Sequence, residues 1–186
     1  MAKITLNPAL KAFHGKIGGL VFKQFAGKEI VASAPGPRSN WTEGQLAQRQ
    51  QFKLAAIYGK TALANPDTKT IYEAKSKQSG VPVFALTVAD FFNPPVVDEV
   101  DLSGYSGQVG DTIKITAHDD FKVTGVQVVV RDNGGAVVEQ GAATLSATDG
   151  SWQYKATATL AQGQAVVIEV SATDLPGHKG IKTQTK

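Results

Sequence analysis

The 186-residue chain has no cysteine. Disulfides, zinc–thiolate sites and thiol nucleophiles are thereby excluded, and the redox environment is left open. Charge is sparse: 19% of residues are Asp, Glu, Lys or Arg, below the roughly one quarter of an average domain, which argues against a charge-swollen disordered chain. No run approaches the ~20 apolar residues of a membrane-spanning helix. The opening "MAKITLNPALKAFHGKIGGL" has no continuous apolar core followed by a small-residue cleavage site, so no secretory signal is read. Synthesis in the cytoplasm is expected, with release in a virion or by lysis left open.

Catalytic signatures are also missing. The three histidines, His14, His118 and His178, form no H-E-x-x-H. "SGYSGQ" has the wrong spacing for G-x-S-x-G, and no acidic pair sits in a glycosidase context. No catalytic residue and no cofactor is assigned, and a non-enzyme is expected. Glycine is plentiful in "HGKIGGLVFKQFAGKE", but Lys16 precedes the Gly18–Gly19 pair and no Ser or Thr follows it. A phosphate-binding loop needs the lysine after the glycines and a helix next. The stretch reads instead as a glycine turn feeding a hairpin, with strands at Leu20–Phe25 and 29–34 joined across Ala26–Gly27.

What is present divides in two. Residues 1–80 hold twelve Lys and Arg against four Asp and Glu, a charge of +8; residues 81–186 hold seven against twelve, a charge of −5. Opposite fields favour head-to-tail contact between copies. The pattern changes at Asn93-Pro94-Pro95, which cannot continue a helix. The expected organisation is a small α+β assembly domain over 1–94, with a hairpin and about three helices, and an all-β domain over 95–186.

In the second half, residues alternate between two faces. Ile113 and Ile115 share a face, as do Val126, Val128 and Val130; Trp152, Tyr154, Ala156, Ala158 and Leu160; and Val166, Ile168, Val170 and Ala172. Asp132-Asn133-Gly134-Gly135 is a tight-turn signal. About seven short strands at roughly ten-residue spacing give a sandwich signature. The stretches "HDDFKVTGVQVVVRD" and "VIEVSATDLPGHKG" resemble bacterial immunoglobulin-like or fibronectin-III-like domains. In those, an Asp-bearing turn precedes a V-rich strand and the penultimate strand ends in A-x-D-x-x-G-x-x-G. The resemblance implies an immunoglobulin-like sandwich over 96–186 and is almost silent on activity.

In the first half, Thr42 and Gln45 have capping-box spacing ahead of a helix that stops before Pro66. A second helix is expected over about 67–77. "VPVFALTVADFF" reads as a third, apolar nearly all round and therefore buried in the domain or against a neighbour. Gly15, Lys16, Ile17, Gly18, Gly27, Lys28, Thr42, Gln45, Arg49 and Phe52 match a pattern, G-K-[IL]-G followed by T-x-x-Q-x-x-x-R-x-x-F. The pattern resembles small uncharacterised proteins of bacteria and their phages. That resemblance implies a compact, virion-associated or surface module and lends no chemistry.

These observations point to a structural, self-assembling or virion-associated protein, partnered by copies of itself or by other structural proteins. The residues expected at contacts are Leu20, Phe22 and Phe25 of the hairpin, and Phe84, Leu86, Val88, Phe91 and Phe92 of the third helix, weighed against an ordinary core. Loop residues Asp119, Asp120, Asp149 and Asp174 would gather at one end of a sandwich and hold calcium, or each would cap its own turn. Nucleic acid is the other ligand to weigh, through Lys16, Lys23, Lys28, Arg38, Arg49 and Lys53; the scatter of these charges favours a solvated face. An adhesin binding glycan or protein through the sandwich-end loops would use Phe121 and Trp152.

Overall fold

The computed structural model describes residues 15–25, 28–36, 40–161 and 163–186, with Gln24, Phe25, Lys28 and Glu29 described by backbone alone. Two compact units run over residues 1–46 and 47–186.

The first unit carries β1 (Gly15–Ile17), β2 (Leu20–Phe25) and β3 (Lys28–Ser33). They form one antiparallel sheet in chain order. Ile17 pairs with Leu20, so the connection is a two-residue turn. Gly18 takes φ 59° there, a left-handed conformation that glycine adopts without steric cost. The hairpin between β2 and β3 lies where the sequence puts it. β1 is additional, because the Gly-Lys-Ile stretch pairs with β2 instead of remaining a turn.

Helix α1 (Glu43–Ala64) opens on the expected capping box: Gln45 N–H donates to Thr42 Oγ1 at 3.3 Å and Thr42 N–H to Gln45 Oε1 at 3.2 Å. In the second unit α1 is followed by α2 (Pro66–Ser79) and α3 (Val83–Phe92). Asn65 caps α2 by accepting from Asp67 N–H at 2.9 Å, with Pro66 at the first helical position where a missing N–H costs nothing. Gly80, at φ 71°, closes it. On α1 the buried positions Ala55, Gly59 and Ala62 are all small. A Cβ on Gly59 would lie 2.5 Å from Thr87 Oγ1, so only glycine lets α3 come this close.

Eight strands follow: β4 (Val96–Asp101), β5 (Thr112–His118), β6 (Gly125–Asp132), β7 (Val137–Ala142), β8 (Thr144–Leu145), β9 (Trp152–Lys155), β10 (Val166–Thr173) and β11 (Lys179–Thr185). They make two antiparallel sheets, ordered β4-β5-β9-β8 and β11-β10-β6-β7. The inward residues of both sheets share one core, in which Ile113, Ile115, Val128, Val130, Val166, Ile168, Val170 and Ala172 are fully enclosed. The alternation in the sequence is thus the alternation of a pleated strand. The count exceeds the expected seven because "AVVEQGAATL" is not one strand. The chain leaves one sheet after Ala142, buries Ala143 and joins the other at Thr144. Likewise β9 ends at Lys155, and Ala156 and Leu160 reach the core from irregular chain.

A second, smaller core places the helices at one end of this sandwich. Ala62, Tyr72 and Leu86 pack with Tyr58, Leu63 and Val83, and with Phe121 and Leu175 from the loops after β5 and β10. No helix among the described residues is long and apolar enough to cross a membrane.

Candidate functional site

The chemistry-bearing side chains that converge lie where the three helices meet those two loops. Asp90 of α3 has no exposed surface. Its Oδ2 accepts a hydrogen bond from the hydroxyl of Tyr72 on α2. The Tyr72 oxygen lies 2.7 Å from the Tyr58 hydroxyl of α1. A phenol has one proton to give, so Tyr72 donates to Asp90 and Tyr58 donates to Tyr72. All three helices are tied by one polar chain.

The loops contribute more carboxylates. Asp174, also buried, accepts through Oδ1 from the backbone N–H groups of Gly177 (2.7 Å) and His178 (2.6 Å). Its Oδ2 stands 3.5 Å from His178 Nδ1. Asp119 Oδ2 accepts from the N–H groups of Phe121 and Lys122. Asn93, just past α3, donates to Asp120 Oδ2 at 2.9 Å. Rings complete the joint: Tyr72 and Phe121 have centroids 5.1 Å apart, and Phe91 meets His178 edge-on at 4.7 Å. An open groove lined by Leu54, Phe91, Phe92, Pro94, His178 and Lys179 shares two of these side chains.

The electrostatics follow from enclosure. Burial pushes the Asp90 carboxyl up to about 7; the hydrogen bond from Tyr72 opposes the shift, and the carboxylates of Asp119, Asp174 and Asp120 add to it. Burial raises Asp174 too, against the pull of the two backbone N–H groups. Burial raises both tyrosines, Tyr72 well above the ordinary phenol range. Asp90 Oδ1, Asp119 Oδ1, Asp174 Oδ2 and His178 Nδ1 are buried and have no hydrogen-bond partner among the described residues. A cluster of this kind holds several negative charges only at high cost.

The expected site residues distribute as follows. Asp119, Asp120 and Asp174 come to this junction. Asp149 instead pairs with Lys114 at 2.8 Å and accepts from Ser151, and the Lys114 hydrogen bond holds its carboxyl well below the usual range. Asp119, Asp149 and Asp174 each accept backbone N–H groups of their own turn, the capping role weighed against calcium. Among the described residues no group of three or more His, Cys, Asp or Glu is placed to hold a metal ion.

Of the expected contact residues, Leu86 belongs to the small core and Val88, Phe91 and Phe92 are half-buried, while Phe84 and Leu20 are exposed and Phe22 is half-buried. Phe25 is described by backbone alone. Lys16, Lys23, Arg49 and Lys53 are exposed, Lys28 lies in β3 with only its backbone described, and Arg38 lies outside the described residues. Trp152 is buried in the sandwich core, and Phe121 is half-buried against Tyr72. Sequence reasoning did not single out Asp90, Tyr58 or Tyr72 as a site. The available signal was one acid inside the apolar run "VPVFALTVADFF", a charge that a buried helix must neutralise or partner.

No family model and no curated protein matches the chain. Among solved structures, the crystal structure of CopC from Methylosinus trichosporium OB3b is similar over 49% of this chain and 89% of its own, at 16% identity and a TM-score of 0.37. A tetra-tandem repeat in the extending region of a large adhesion protein is similar over 50% of this chain and 24% of its own, at 21% identity and a TM-score of 0.36. Likenesses this distant assign no family and no activity.

Proposed function

We propose that the chain is a non-enzymatic structural protein that assembles with copies of itself, in a virion or a comparable particle. Its immunoglobulin-like sandwich projects from the assembly or binds a neighbour. The observation that carries the reading is apolar surface left uncovered. In β1–β3 no described side chain is fully enclosed, and Ile17 and Leu20 are 53% and 46% exposed. On α1, Leu46, Leu54 and Ile57 are each about half exposed. At 100° per residue, Leu46 and Ile57 fall on the side opposite Ala55, Gly59 and Ala62.

Apolar area left in water forgoes about 25 cal/mol per Å², and clustered exposure marks an interaction surface. The occupant proposed is a second copy, because the +8 of residues 1–80 and the −5 of residues 81–186 attract when copies meet head to tail. The immunoglobulin-like reading is supported by strand order: β4-β5-β9-β8 follows the ABED sheet, and β11-β10-β6 follows GFC, with β7 added beside C.

The test is a chain carrying Leu46→Glu, Leu54→Glu and Ile57→Glu. It is expected to keep its helix content and to sediment as a single chain where the unaltered protein sediments as a multiple. Sedimentation of both as the same multiple contradicts the reading.

A further inference from the structure

Asp90 has no exposed surface, and burial and the carboxylates around it make its negative charge costly, against the single hydrogen bond from Tyr72. Tyr58 faces it from α1 and Tyr72 from α2. Asp119 and Asp120 face it from the loop after β5, and Asp174 from the loop after β10. His178 stands beside Asp174, and Lys75 of α2 lies 5.9 Å from the ring centre of Phe121. The same few residues fasten the helices to the sandwich through Phe91 and His178, Tyr72 and Phe121, and Asn93 and Asp120.

We propose that the helices are latched onto the end of the sandwich by one proton held on Asp90, so that the joint is closed below neutral pH and loosens above it. In the closed joint Asp90 is a neutral acid, Tyr72 donates to its Oδ2, and Tyr58 donates to Tyr72. Loss of the proton leaves an enclosed carboxylate acted on by the carboxylates of Asp119 and Asp174, with the hydrogen bond from Tyr72 offsetting part of the cost. Separation of the helix layer from the loops lets water reach that charge.

The direction follows from linkage. The folded Asp90 titrates at about 7, the unfolded carboxyl near ~3.9. The folded state therefore binds more protons between those values. The contribution is complete below about 4 and is lost as the pH rises through about 7. Burial moves Asp174 the same way.

Amide hydrogen exchange of the full chain tests this between pH 5.5 and 9, with rates corrected for the intrinsic pH dependence. Protection of residues 58–92 is expected to fall by about tenfold or more between about pH 5.5 and 7, a change worth one pKa unit, and to level off above about 7, while β6 and β10 keep theirs. Asp90→Asn keeps an acceptor for Tyr72 and carries no charge, and it is expected to hold its protection to pH 9. His178→Gln is expected to retain the fall, which assigns it to Asp90 and not to its neighbour across the joint. No fall in the unaltered chain, an equal fall in Asp90→Asn, or a fall abolished by His178→Gln and kept by Asp90→Asn overturns the proposal. The carboxyl carbon resonance of Asp90 in the unaltered protein is the second readout, independent of whether a variant folds. A midpoint near 7 supports the latch and one near 4 overturns it.

Discussion

Glu139 and Thr157 join the two sheets of the sandwich. Glu139 Oε2, on β7, accepts from Thr157 N–H at 2.6 Å and from its hydroxyl at 2.9 Å, just beyond the end of β9. The same oxygen accepts from Tyr154 Oη and Ala158 N–H, each at 3.1 Å. Glu139 is itself buried. Its removal strands the buried Tyr154 hydroxyl, at about 1–3 kcal/mol, and takes a charged acceptor from the part-buried donors of Thr157 and Ala158. Glu139→Ala is expected to lower stability by about 3 kcal/mol. Glu139→Gln keeps an acceptor oxygen and is expected to lose less. Urea melts with an unchanged slope measure both.

Gly59→Ala sets helix propensity against packing. On an open helix the change would favour folding by about 1 kcal/mol. Here the new methyl meets Thr87 Oγ1 and the Phe84 ring, at 2.5 and 3.0 Å, and Thr87 is fully buried. Overpacking of this kind costs about 1–3 kcal/mol. The expected result is net destabilisation, read as a lower melting temperature, with exchange of α1 and α3 amides raised more than that of the sandwich.

On the acid side the sign of the pH dependence reverses. Asp111 accepts through Oδ2 from Ser106 N–H and Oγ, both at 2.7 Å, and from Gln108 N–H at 2.9 Å, and these bonds hold its carboxyl below the usual range. Asp149 is held low by Lys114 and Ser151. A depressed folded value stabilises above the unfolded value near ~4 and is lost as the pH falls through the folded one. Melting temperature is therefore expected to drop from about pH 4 to pH 2. Asp111→Asn should lower stability at pH 6 and flatten that drop.

Local chemistry was legible in the sequence. The capping box at Thr42 and Gln45, the stop at Asn65-Pro66 and the runs Val126–Val130 and Val166–Ala172 describe elements whose causes lie within a few residues. The switch of sheet at Ala143 was not legible, because Gly141, Ala142 and Ala143 suit a continuous strand as well as a crossing. β1 was hidden because three residues are too few to show a period. The junction was hidden for a different reason. Tyr58, Tyr72, Asp90, Asp119 and Asp174 are far apart in the chain, and only the packing of three helices on two loops brings them together. Each aspartate taken alone reads as a turn cap, which three of the four loop aspartates also are.

In the proposed assembly this chain covers its exposed apolar surface with copies of itself. Light scattering of the unaltered 19.6 kDa chain across a hundredfold range of concentration, with negative-stain microscopy of the same samples, reads this self-association. A mass that rises with concentration to a defined multiple of the chain, with regular particles or filaments in the images, is the predicted result. A mass of one chain at every concentration would contradict it.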